Sequence, residues 1–164
     1  MEFVTPDKRR PPRWTGELDP ADHVLLTAYR RWIAGWARSD PGLWERAWND
    51  FARHLGPERG RAAVSTLAAF VNVLRRDARR PIRYHQPCCP CVGEDETCFL
   101  RLVAAARDGH WLAAREACRS MVSDESIGEL MAGAAELART ATDAGRAGAW
   151  VVTNVPTVSS SRLN

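Results

Sequence analysis

At 164 residues, with 45% apolar and 26% charged positions, the chain is sized for one domain around one core, and this composition excludes disorder throughout. It contains no run of about 18 uncharged apolar residues, and the start MEFVTPDKRRPPRW lacks the apolar centre of a secretory signal; no membrane contact and a cytoplasmic location are expected. The formal net charge of +3 is too small to indicate nucleic acid by itself, although 22 arginines against one lysine make a pronounced skew.

Residues 1–18 read as a flexible basic segment, with charge gathered from Lys8 to Arg13. Asp19-Pro20 is then a helix start, an N-cap acid followed by proline at the first helical position. Val24, Leu25, Ala28, Trp32, Ile33 and Trp36 recur at helical spacing up to about Ser39. Asp40-Pro41 repeats the signal, and Trp44, Ala47, Trp48, Phe51 and Leu55 draw a second stripe that closes at Gly56-Pro57. A third helix is predicted from about Glu58, with Val64, Leu67, Phe70, Val71 and Leu74 inward. The arginines from Arg75 to Arg83 crowd its end, where cations suit the helix dipole. Four of the seven tryptophans lie on these stripes, so a core role is their expected one.

Pro81 and Pro87 end that helix and hold the next segment open, since proline lacks the amide donor and disfavours helix in the residue before it. Helical pattern resumes near Thr97 with Phe99, Leu100, Val103 and Ala106, and pauses at Asp108-Gly109. It continues through Trp111, Leu112, Cys118 and Met121. A last helix is predicted from Ser123-Asp124-Glu125 through Ile127, Leu130, Met131, Ala134, Leu137 and Ala141. The expected architecture is all-α: about six helices in two groups of three over residues 19–148, joined by a proline-containing cysteine loop at 81–98. Residues 149–164 read as an extended or disordered tail, with Trp150 to Val155 as a short extended piece.

The chemistry concentrates in HQPCCPC, from His85 to Cys91, followed by Cys98. Four of the five cysteines and one of the four histidines fall within these fourteen residues. Cys88 and Cys91 have the C-x2-C spacing that lets two thiolates from a tight turn reach one ion. His85, Cys88, Cys91 and Cys98 are the candidate metal ligands, with Cys89 as a spare. A closed zinc site would staple the two helical groups where packing is thin, and an iron–sulfur cluster would draw on Cys88 or Cys89, Cys91, Cys98 and Cys118. The absence of metal, with a reversible redox pair instead, is a third reading. Arg79 and Arg83 are expected to offset thiolate charge, whereas Glu94, Asp95 and Glu96 are expected to face solvent or cap the following helix. Cys118 reads as a small buried hydrophobe.

A histidine followed by closely spaced cysteines is loosely similar to zinc-binding anti-sigma factors, with their His-x3-Cys-x2-Cys motif. His85 to Cys89 has the first spacing, but Cys89 and Cys91 stand one residue apart, and nothing is carried over. The chain shows no phosphate loop, nucleotide fingerprint or oxyanion-hole signature. The expected function is therefore a metal- or iron–sulfur-binding accessory or sensor without catalysis of its own, partnered by another protein. The alternative is a DNA-binding regulator that contacts phosphate through Arg75, Arg76, Arg79 and Arg80, with a weak helix-turn-helix outline around Gly109.

Overall fold

The computed structural model describes residues 3–4 and 13–147, which contain six α-helices, two short 3₁₀ turns and four two-residue strands. Helix α1 (Pro20–Arg38) starts where Asp19 accepts from the Asp22 amide at 2.9 Å, and it stops at Ser39, which takes a left-handed conformation at φ 53°. Helix α2 (Pro41–Leu55) restarts at once by the same device, Asp40 accepting from the Gly42 amide. Gly56, at φ 81°, makes the turn into α3 (Pro57–Asp77), a conformation strained for any residue with a side chain.

The second half comprises α4 (Glu94–Arg107), α5 (Trp111–Arg119) and α6 (Ile127–Ala147). Helices α1 and α2 pack together, as do α2 and α3, and α4 packs on both α5 and α6. The two groups of three meet because α3 also packs on α6, so they share one core. At their junction Tyr29 of α1 stacks on Phe99 of α4 at 4.1 Å and 10°, and Phe70 of α3 lies 5.3 Å from the same ring. All three rings are fully buried. Each is worth about 1.5–3 kcal/mol in transfer free energy, so the expected thin packing between the groups is corrected: apolar contact already joins them.

The tryptophans are less buried than their spacing suggests. Trp32, Trp44 and Trp48 are half-buried, and Trp36 is exposed with the Arg75 guanidinium 3.6 Å above its ring. Trp44 lies against α1 at Gly35, where a Cβ would stand 2.3 Å from the indole nitrogen, and it donates from Nε1 to the Trp32 carbonyl at 3.1 Å. Trp111 and Leu112, counted as apolar pattern, lie on the surface.

The cysteine loop carries two short strands, β3 (Ile82–Arg83) and β4 (Cys91–Val92). Both pair with the N-terminal segment read as flexible. Phe3–Val4 (β1) runs parallel to β3, and Arg13–Trp14 (β2) runs antiparallel to β4, with Trp14 opposite Cys91. Thr15 adds a backbone hydrogen bond to the Pro90 carbonyl at 2.7 Å. The rest of the N-terminal segment and the tail, Trp150 to Val155 included, lie outside the described residues. Among the described residues, no helix is long and apolar enough to cross a membrane.

Candidate functional site

The loop from Ile82 to Gly93 cannot be helical with Pro87 and Pro90 in it, so its backbone groups need partners from elsewhere. Arg30, 1% exposed in the middle of α1, provides them. Its Nη1 donates to the Cys89 carbonyl at 2.7 Å and its Nη2 to the Cys91 carbonyl. The same guanidinium binds Glu96 as a fork, Nε to Oε1 and Nη2 to Oε2, each at 2.8 Å. One buried cation therefore grips both cysteine carbonyls and the start of α4.

Glu96 is fully buried and gathers two of the loop amides. It accepts from the His85 amide and the Gly93 amide, both at 2.8 Å, the latter making the one half of a capping box that a glycine N-cap allows. Burial alone would raise its pKa. The hydrogen bonds and charge of Arg30, with the two amides, outweigh that and hold it below the ordinary carboxylate value. Asp95, 1% exposed, accepts from the Arg83 amide at 2.7 Å and from both Nη atoms of Arg80. Of the three acids expected to face solvent or cap the following helix, Glu94 is exposed and Glu96 binds back to the helix start, whereas Asp95 is buried against the loop instead. Asp95 and Glu96 fasten the loop, and α4 begins at Glu94 rather than near Thr97, with Gly93 as its N-cap and Glu96 at N3.

His85 is oriented by the same carboxylate, its Nδ1 lying 3.0 Å from Glu96 Oε2. The Glu96 oxygens accept from Arg30, so they are ionised and the imidazole must be the donor through Nδ1. In the Nδ1–H tautomer the lone pair lies on Nε2.

Of the thiols, Cys91 has its pKa pushed up, by burial first and then by the neighbouring Cys89, against the pull of the Arg30 charge. Cys88 is exposed at the tip of a turn closed by the Cys89 amide on the Gln86 carbonyl at 2.9 Å. Cys98 belongs to α4, where the Ser120 hydroxyl approaches its sulfur at 3.7 Å. Cys118 is buried among apolar neighbours and pushed up to about 12, as its spacing predicts for a core residue. Among the described residues, no group of three or more His, Cys, Asp and Glu side chains is placed to hold a metal ion. His85, Cys88, Cys91 and Cys98 are therefore not gathered at one point in this conformation.

The arginines expected to balance thiolates are engaged elsewhere. Arg79 donates to the Val122 carbonyl and to Asp124, and the Arg83 side chain is exposed. Arg76 pairs with Asp77 and Glu129. The charge that does face the cysteines comes from Arg30, which the spacing argument passed over. A signal was present: Arg30 falls four residues after Leu26 and three before Ile33, on the inward stripe of α1, where an arginine needs a buried acid. Likewise Gly93-Glu94-Asp95-Glu96 carries the capping-box spacing.

No protein-family model matches this chain, and no curated protein or solved structure matched it either.

Proposed function

We propose that the protein is a non-catalytic accessory or sensor whose cysteine loop captures a thiophilic metal, zinc or the iron of an iron–sulfur centre. The observation that carries this reading is the Glu96–His85 couple. A buried carboxylate that accepts from Nδ1 leaves Nε2 as a directed, electron-rich donor, the arrangement that orients imidazole ligands in metal sites. Three thiols within four residues of the same segment, Cys88, Cys89 and Cys91, supply soft ligands beside it. Capture would draw Cys88 and Cys91 towards His85, with Cys98 or Cys89 completing the set. The side chains of the tip are the part that would move, because Glu96 holds the His85 and Gly93 amides and Arg30 the Cys89 and Cys91 carbonyls.

The nucleic-acid alternative has less support. Arg76, Arg79 and Arg80 each pair with a carboxylate, and Arg75 lies over Trp36. Phosphate would have to compete with partners already in place. A protein partner accords with the accessory reading, and no feature described above selects one.

Protein purified without oxygen is expected to carry zinc or iron in proportion to chain, with visible colour in the iron case. His85→Ala should weaken metal binding by about 10–100-fold or more, and Cys91→Ser should abolish it. Wild-type protein that is colourless, free of both metals and unable to take up added zinc would overturn the reading.

A further inference from the structure

Strands β1 and β2 lie against the cysteine loop at two separate places. Phe3 stands edge-on to Tyr84, with ring centroids 6.3 Å apart at 87°, and packs on the core while its backbone pairs with Ile82. Tyr84 directly precedes His85, so β1 anchors that side of the loop. On the other side β2 pairs with β4, and the Thr15 amide donates to the Pro90 carbonyl at 2.7 Å. In an antiparallel ladder, directly opposed residues present their side chains on one face, with Cβ atoms about 4.5–5.5 Å apart. The indole of Trp14 thus flanks the side chain of its partner Cys91. Cys91 is only partly exposed, whereas Cys88, in the turn, is open to solvent.

Two holds therefore act on the loop backbone, and they differ in strength. The first is Arg30 with Glu96, both buried, whose separation would leave each charge without its partner. The second is the pair of two-residue strands, with Trp14 50% exposed beside them. Ladders this short and this wet belong to the parts of a protein that open first. A rearrangement that carries the Cys91 side chain towards His85 releases the strands and keeps the clamp.

We infer that β1 and β2 form a strap whose local opening sets the rate at which the loop takes up metal. The inference rests on the metal reading above and adds the regulation of that site. The strap governs the rate, and the ligand set stays as proposed. Whatever holds the two strands on the loop slows capture, and whatever draws them off speeds it.

The test mixes reduced, metal-free, full-length protein with zinc for varied times, then quenches with a chromogenic chelator that reports the zinc left free. Amide hydrogen exchange of residues 91 and 92 is followed alongside. Thr15→Pro removes the amide that bonds to Pro90, while Trp14, at φ −94° and ψ 141°, already has the extended backbone that suits a residue before proline. Uptake and exchange should both rise by about 2–10-fold, as the loss of one hydrogen bond implies, with exchange in α3 unchanged. Phe3→Ala loosens β1 instead and should act in the same direction. In the parent, the uptake rate should level off as zinc is raised, because opening precedes binding. Faster exchange with unchanged uptake would overturn the inference and leave the metal reading standing. Unchanged exchange in both variants would overturn it as well, since the strands would then not hold the loop. Parent and variants that all fail to take up zinc would overturn the metal reading, and this inference with it.

Discussion

Neighbouring residues on α1 illustrate two ways of holding this molecule together. Tyr29 enters a stack with Phe99, beside Phe70, where the helical groups meet. Arg30, the next residue, enters the cysteine loop and meets a carboxylate and two carbonyls. The apolar junction is non-directional and tolerates rearrangement, since transfer free energy follows area rather than angle. The polar clamp depends on every partner, because each group taken from water without a hydrogen bond costs about 1–3 kcal/mol. The stack's one polar edge, the Tyr29 hydroxyl, has no hydrogen-bond partner among the described residues, and its pKa is raised by burial, then by nearby Glu96 and Asp95.

The sharpest way to break the comparison is to treat the two regions alike. Arg30→Met should cost about 3–5 kcal/mol in a denaturant titration, since it leaves Glu96 buried without its cation. Leu67→Met, in the fully buried part of α3, should cost less than about 1.5 kcal/mol. Similar losses for both would mean that the loop is not held by charge.

Acid should separate the regions next. Glu96 has a folded pKa below its ordinary value of 4.5, so the unfolded chain takes up the proton more readily. Its stabilisation is fully present above 4.5 and is lost as pH falls through the lower folded value. Unfolding midpoints of the parent should therefore fall on acidification below this point, and Arg30→Met, which has already lost the partner that depresses Glu96, should fall less. Parallel acid curves would remove Glu96 from the account.

The smallest effect belongs to the helix ends. Asp19→Ala removes the acceptor for the Asp22 amide and should lower stability by about 1 kcal/mol, with no change in loop thiol reactivity towards a mild alkylating agent. A change in that reactivity would show that the start of α1 and the loop are coupled.

Much of the fold was legible in the sequence. The Asp-Pro starts of α1 and α2 fell on their predicted positions, and the last inward residues named for α6 lie on one helix. The loop was recognisable from its prolines. What was misjudged was local: Trp111 and Leu112 looked like pattern but point outward, and the N-terminal segment looked unstructured because its two-residue strands have no periodicity of their own. Asp95 and Glu96 looked like solvent-facing or helix-capping acids because three acids in a row usually are, and only the approach of Arg30 and Arg80 makes their burial affordable.

By itself the sequence determined the helices, their order and the clustering of thiols, because capping residues, prolines and apolar spacing act over distances of a few residues. The tertiary structure alone decided what holds the cysteine loop in place. Arg30 and Glu96 stand 66 positions apart, and no local rule pairs them. The pair forms because the core stack brings α1 against α4, after which a buried cation and a buried carboxylate can each be satisfied only by the other and by the loop between them.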